Sequence, residues 1–389
     1  MKIIFGSDMS FNYFESFPGK EYAQNALKEA GEFFAKADFS MVNLENIFGD
    51  ESIGEPIIKG GPNLISEDGF MEFVHALNPT VVGMANNHTN DFGEGAMQHT
   101  MDLLRESGYK YIGAGKNLDE AYLPAKLSKG GINVAIIAIC ENEYGGATAT
   151  SAGTAVYNVQ RAGKAIIDAK KEGYKPIVFF HGGNEYNPFP APSKLDLYHH
   201  FIDMGAEAVI AMHTHCPQGY EYYEGKPIVY SMGNFFFPKD WKAAGREETW
   251  ALGYMSELDI TDEGTTLTIH PYRFDFEKQK LLSGEEKEKF LRYIQSISEP
   301  ISDREKIEKY FDSWCLTRRW LFDRFDDFKY DEVIVDGNPR QAVKYRGPLH
   351  CEAHNDVLVN HIEMAYFGRV EEAKKNLPEL QKYFKIELS

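Results

Sequence analysis

Short apolar runs recur along the first 240 or so positions, and each breaks off at a polar residue. Lys2–Phe5 stops at Gly6-Ser7-Asp8, Phe39–Leu44 at Glu45, and Thr80–Met84 at Ala85-Asn86-Asn87-His88. Pro176–Phe180 stops at His181-Gly182-Gly183-Asn184-Glu185, and Ala208–Met212 at His213-Thr214-His215. Runs this short, bounded by Gly, Pro or Asn, read as buried strands. Between them lie stretches whose apolar residues follow helical spacing: Gln24–Ala37, a segment near Glu67–Leu77, Gly95–Ser107, Val159–Lys171 and Ser193–Met204. Two strands around Gly131, the second ending in Val134–Cys140, read as a hairpin in the core. Strands alternating with helices predict a layered α/β fold.

The pattern changes late in the chain. Trp250–Ile260 and Thr265–Phe274 read as a closing pair of strands around Asp262-Glu263-Gly264. From about Phe276 the sequence turns charged and helical, in Gly284–Ile297, Asp303–Arg324 and Asn355–Phe367. Lys329–Tyr345 reads as irregular or as a small hairpin. The expected division is a first domain over residues 1–275 and a helical subdomain over 276–389.

Composition narrows the classes. The 389 residues are 43% hydrophobic and 26% charged, as in a water-soluble globule, and carry a formal net charge of −18. That charge argues against a general nucleic-acid binder, which needs a basic face for phosphates. Cys140, Cys216, Cys315 and Cys351 lie far apart without a Cys-x-x-Cys pair, so neither a disulfide framework nor a zinc ribbon is indicated. MKIIFGSD offers too few apolar residues before Gly6 for a signal-peptide core. No run approaches the roughly 18 apolar residues of a membrane span. The expected location is cytoplasmic.

The residues that end the strands carry the chemistry. In extended backbone, residues two apart face the same side, so His213 and His215 can converge on one ion. Taken singly, each position has a plain structural explanation. Asp8 fits a turn cap, Glu45 a surface ion pair, His88 a hydrogen-bonded structural histidine, and His181-Gly182-Gly183 a tight loop. Five segments ending alike point instead to one shared site at the carboxyl edge of the strands. Carboxylates (Asp8, Glu45), an amide (Asn87) and imidazoles (His181, His213, His215) suit one or two divalent ions, Mn, Zn or Fe.

These motifs, in this order, resemble the bacterial poly-γ-glutamate capsule biosynthesis (CapA/PgsA-type) proteins. That family is a branch of the calcineurin-like metallophosphoesterase superfamily. The resemblance rests on Gly6-Ser7-Asp8, Asn43-Leu44-Glu45, Ala85-Asn86-Asn87-His88 with Asp91 and Gly93, His181-Gly182-Gly183-Asn184-Glu185, His213-Thr214-His215 and Gly225–Phe235. It implies a four-layer α/β/β/α sandwich with metals at the strand ends. It also implies that Asp8 and His215 ligate the first ion, that Glu45 bridges, and that Asn87, His181 and His213 ligate the second. His88 resembles the histidine that protonates the leaving oxygen. Asp91 orients His88 or holds its loop; Glu185 binds substrate or ties down its loop; Asn234 is a further substrate-side candidate that fixes the loop beside the site. The wider superfamily pattern begins Asp-x-His, but Ser10 stands in the place of that histidine, and Glu45 replaces the usual aspartate. The first ion is therefore expected to have fewer protein ligands.

Two stretches remain open. His350-Cys351-Glu352-Ala353-His354 reads as the start of a helix with both histidines on one face. It is either a separate metal site or a helix packed on the cleft. Trp314–Phe328 has the spacing of a core helix, and Arg318 and Arg319 reach an anionic substrate only if that helix overhangs the site. Three functions compete. The first is a metal-dependent phosphoesterase acting on an anionic small molecule or polymer. The others are an enzyme processing a γ-glutamyl polymer or amide, and a noncatalytic module of an envelope-polymer assembly. The charge of −18 offers no general attraction for polyanions.

Overall fold

The computed structural model describes every residue except 51, 387 and 389; of the Gly49–Pro62 loop, only position 51 lies outside the described residues. Its centre is a pair of sheets. The first has eight strands: Gln279–Leu281, Thr265–Phe274, Leu252–Ile260, Lys2–Met9, Phe39–Leu44, Val81–Gly83 and Lys110–Ile112 in spatial order, with Asn234–Phe236 also paired to Lys2–Met9. The second has six: Tyr220–Tyr223, Lys226–Val229, Ala208–Met212, Lys175–His181, Ile132–Cys140 and Ala125–Lys129. The central strands of both are parallel; antiparallel strands close both edges of the second sheet and one edge of the first, whose other edge, Lys110–Ile112, is parallel. Both faces of each sheet are covered, which is why the central strands read as unbroken apolar runs rather than alternating ones.

Side chains decide which face meets which layer. Ile3, Phe5, Met41 and Val81 of the first sheet share one core with Ile137, Phe179 and Ile210 of the second. The alternate residues Ile4, Val42 and Val82 turn the other way, into a second core with Ala23, Ala30, Phe73 and Leu104 from the outer helices. Helices Val159–Lys171 and Pro192–Asp203 cover the far side of the second sheet through Ala162, Ile166, Leu195 and Phe201. The result is the α/β/β/α order. Where the sheets approach, Gly83 is required: a Cβ there would stand 2.9 Å from Phe179 and 3.0 Å from Met41.

Three local expectations change. Gln24–Ala37 is two helices, Lys20–Ala26 and Lys28–Phe34, parted at Leu27 with φ −110° and ψ 14°. The turn lets Gly31 pass against the Ala76 carbonyl oxygen, where a Cβ would lie 2.4 Å away. Lys329–Tyr345 forms no hairpin; it holds a π-type turn, Asp331–Val335, and the start of helix Pro339–His350, whose N-terminus is capped by the Asn338 side chain. His350 and His354 do not share a helical face. His350 ends one helix and His354 belongs to the next, Glu352–Tyr366, because Cys351 between them is extended at φ −70° and ψ 123°.

Beyond Gln279–Leu281 the chain is helical, beginning with Gly284–Ser298 and Arg304–Cys315. Phe290, Ile294 and Ile297 repeat at helical spacing and are buried in the core shared by the two sheets. Asp303 caps the next helix by accepting from the Lys306 N–H at 3.1 Å. Among the described residues no helix is long and apolar enough to cross a membrane.

Phe179 is the ring that joins the sheets, stacked on Phe5 with centroids 5.8 Å apart. Phe179→Ala is expected to lower the unfolding free energy by about 3–5 kcal/mol, as truncation of a core aromatic does. Urea denaturation followed by tryptophan fluorescence measures it.

Candidate metal centre

The carboxyl ends of the parallel strands in both sheets meet at one edge. Asp8 closes Lys2–Met9, Glu45 follows Phe39–Leu44, His181 ends Lys175–His181, and His213 follows Ala208–Met212. Pairing aligns them: Asp8 is level with Asn43 on one side and Asn234 on the other. Asp8 Oδ1 accepts from Asn43 Nδ2 at 2.7 Å and lies 3.2 Å from His181 Nδ1, while Oδ2 accepts the His213 backbone N–H at 2.9 Å. Glu45, His181 and His213 present ligand atoms that all fall within 4.8 Å of one another. Asn87 Oδ1 lies 3.1 Å from His181 Nε2, which places the fifth chain segment at the same point. His215 sits one ring further out, its centroid 6.0 Å from that of His213. The six residues converge.

The donor set fits a cation. Glu45 is fully buried, and neither carboxylate oxygen has a hydrogen-bond partner; His88 Nε2 and His181 Nε2 stop at 3.8 and 3.7 Å. An unpartnered buried carboxylate costs several kcal/mol unless positive charge meets it. Burial first, and Asp8 next to it, push the Glu45 pKa well above the usual carboxylate value. Burial also acts to raise Asp8, but His181, His215 and the Asn43 amide hold it below its ordinary value. His213 Nδ1 is likewise buried without a partner. Backbone conformation is spent here too: His213 has φ 102° and His215 φ 56°, uncommon for side chains with a Cβ. The bond from the His213 N–H to Asp8 holds that turn.

Beside this cluster stands His88. Its Nδ1 lies 2.6 Å from Asp91 Oδ2, so Nε2 is the nitrogen turned toward Glu45. Asp91 is itself fixed, accepting the Leu64 N–H at 2.6 Å and pairing through Oδ1 with the buried ammonium of Lys59. Burial, and then the Lys59 charge, lower the His88 pKa to about 4. Lys59 escaped the sequence reading because a single lysine in a Gly/Pro-rich loop carries no signal.

The remaining candidates separate by exposure. Glu185 is exposed at the cleft mouth. Asn234 is fully buried with its amide engaged: Oδ1 meets His215 Nδ1 at 2.7 Å and Nδ2 donates to the Trp250 carbonyl at 3.0 Å. It holds the His215 ring and offers the cleft no free atom. Glu143 was missed, although it bears the same signature as the others: it follows the apolar strand Ile132–Cys140. Its carboxylate lies 3.5 Å from His213 Nε2, and against the opposing effect of burial it pushes the His213 pKa up to about 10.

A cleft of about 530 Å³ opens over the cluster, walled on the far side by the C-terminal helices. His354 lines it; His350 is exposed outside it. Helix Glu352–Tyr366 is tied to the sheet edge, with Asn184 Nδ2 donating to the Ala353 carbonyl at 2.8 Å and the Asn142 N–H donating to Glu352 at 2.8 Å. The segment Trp314–Phe328 overhangs the site through Arg318, whose guanidinium stacks 4.4 Å from the Trp314 ring and donates to the Glu185 carbonyl. Arg319 points to solvent, its side chain 85% exposed. Lys59, Lys239, Arg246, Arg318 and Arg324 all line this one cleft. The chain is acidic overall and basic where it opens.

The sequence model of the family described as bacterial capsule synthesis protein PGA_cap matches residues 8–239, a span that takes in all of these strand-end residues. The chain belongs to that family. Its fold is metallophosphoesterase-like. Among curated relatives, the capsule biosynthesis protein CapA of Bacillus anthracis is 32% identical over 42% of this chain and 41% of its own length. The PGA biosynthesis protein CapA of Bacillus subtilis (strain 168) is 28% identical over 54% and 57%. A probable polyglutamine synthesis accessory protein of Mycobacterium tuberculosis is 28% identical over 48% and 50%. The chain thus spans about half the length of the curated relatives it matches.

Glu45→Gln removes the unpartnered charge while keeping the side-chain volume. In chelator-treated protein it is expected to leave the melting temperature unchanged or raise it. It should also abolish the stabilisation expected of the wild type when a divalent ion such as Mn²⁺ or Zn²⁺ is added. That gain is on the order of 3 kcal/mol when free ion exceeds its Kd about a hundredfold. Differential scanning calorimetry with and without chelator reads both effects.

Proposed function

We propose that this chain is a metal-dependent hydrolase acting on phosphoesters, with Asp8, Glu45, Asn87, His181, His213 and His215 as metal ligands. The observation that carries the reading is the fully buried Glu45 carboxylate, with two unpartnered oxygens inside a ring of imidazoles and a second carboxylate. A bound divalent ion supplies Lewis acidity there and makes water a competent nucleophile near neutral pH. The chain's own residues supply the rest. Asp91 fixes the His88 ring through Nδ1, so Nε2 is the atom that hands a proton to the departing oxygen. Before substrate enters, burial and Lys59 keep the ring neutral with its proton on Nδ1 toward Asp91. The proton that Nε2 hands over is therefore taken up from solvent as substrate binds. A substrate anion seated in the cleft brings negative charge toward Nε2 and raises its proton affinity, as a general acid requires.

Substrate charge follows from the cleft. Five cationic side chains gather there, three of them arginines held over aromatic rings: Arg246 lies 4.0 Å from the Tyr186 centroid, Arg318 4.4 Å from that of Trp314 and Arg324 4.7 Å from that of Trp320. Stacked guanidinium planes present their N–H groups in a fixed fork that suits phosphate or carboxylate. This local basicity supports an anionic substrate despite the net charge of −18. A second reading, hydrolysis of a γ-glutamyl polymer or amide, gains support from the same cations and from relatives named for PGA or polyglutamine synthesis.

His88→Asn is expected to lower kcat toward a phosphodiester by about 10²–10⁴ while leaving bound metal unchanged. Steady-state kinetics paired with elemental analysis checks it. Protein that carries no ion under metal-replete conditions would overturn the metal reading. Turnover of poly-γ-glutamate but of no phosphoester would replace the first reading with the second.

A further inference from the structure

We infer that Glu143 is a positioning residue of the metal centre: its carboxylate fixes which atoms of Asn87 and His213 are offered to the ion. The inference rests on the metal-centre reading above. Glu143 divides its two oxygens between these neighbours. Oε2 accepts from Asn87 Nδ2 at 3.1 Å, and Oε1 faces His213 Nε2 at 3.5 Å. Each neighbour has two faces to choose between, since an amide presents oxygen or nitrogen and an imidazole presents either nitrogen. An ionised carboxylate only accepts, so it selects the donor face of both. What remains uncommitted to Glu143 is Asn87 Oδ1, 3.1 Å from His181 Nε2, and His213 Nδ1, buried without a partner. Those are the two atoms whose lone pairs a cation can use. A histidine ligand that donates its other N–H to a carboxylate is the usual way such a ring is oriented.

Glu143 is not free to make a second site with its neighbour. Glu141, Glu143 and His213 do present ligand atoms within 4.8 Å of one another. Glu141 is already spent, with Oε1 2.6 Å from the buried Lys194 ammonium and Oε2 accepting the Gly183 N–H at 2.6 Å. Glu143 in turn is held from the C-terminal helices. Arg346 Nη1 donates to its backbone carbonyl at 2.8 Å, and the Cys351 thiol lies 3.6 Å from Oε1. The helices beyond residue 339 therefore act on the metal centre through one carboxylate.

The test is metal binding by the full chain, stripped with chelator and then titrated. Isothermal calorimetry with Mn²⁺ or Zn²⁺ gives affinity, and Co²⁺ absorption reports the ligand set. Glu143→Gln is expected to weaken affinity about 10–100-fold, the range seen when an outer-shell partner is lost. The spectrum at saturating Co²⁺ and the melting temperature of the metal-free protein should match the wild type. Arg346→Met should weaken affinity in the same direction by a smaller factor. Wild-type affinity in Glu143→Gln overturns the inference. So does a saturated Co²⁺ spectrum of lower coordination number, which would make Glu143 a ligand itself. If Glu143→Gln does not fold, Arg346→Met decides, and unchanged affinity there overturns the proposal. A wild-type chain that binds no ion at all removes the metal-centre reading, and this inference falls with it.

Discussion

Two carboxylates on adjacent parallel strands, Asp8 and Glu45, are fully withdrawn from water at one sheet edge. Like charges in a low-dielectric setting repel strongly, and one of the two side chains has no hydrogen bond at all. Positive charge has to be delivered to that point, and the rest of the edge is arranged accordingly. Imidazoles come from the second sheet, an amide from the loop after Val81–Gly83, and the His213 backbone N–H turns inward. The positive φ values at His213 and His215 are part of the same bargain: strain in the turn is tolerated because it aims two rings and one N–H at the carboxylates.

Fold and site are linked by this requirement. A parallel sheet puts all its carboxyl ends on one side, and stacking two such sheets brings two sets of strand ends together. Phe5, Phe179 and Gly83 control how closely the sheets approach. A looser interface would separate Asp8 and Glu45, on one sheet, from His181 and His213, on the other. Core packing and ligand geometry are therefore the same problem.

Charge is organised on two scales. The chain as a whole is acidic, yet arginines and lysines from three separated segments line the cleft, some lent by the C-terminal helices. Long-range repulsion is screened over about 10 Å in ordinary salt, whereas a guanidinium inside a cleft acts at contact distance. The local field at the opening is the one a ligand meets last. The helices that supply it also wall the cleft and anchor the Glu143 loop through Arg346.

Much of the fold and most of the strand-end residues were legible in the sequence, because a buried strand must be apolar and an interruption by Asp, Glu or His at its end is conspicuous. That rule extended to Glu143 and was not applied there, since the residue follows a run read as a core hairpin. Lys59 left no trace: its burial depends on a loop returning across Asp91. Spacing within Gln24–Ala37 and His350–His354 misled, because periodicity cannot report a break imposed by close packing at Gly31 or by an extended Cys351. By itself the sequence determined which residues could serve as ligands and that they sit where strands end, since those facts follow from local hydrophobic pattern. Only the tertiary structure decided which atoms of Asn87 and His213 meet Glu143, and that distant helices bring cations to the cleft and Arg346 to the Glu143 carbonyl. Those choices depend on contacts between segments 56 to 203 residues apart, and no local pattern encodes them.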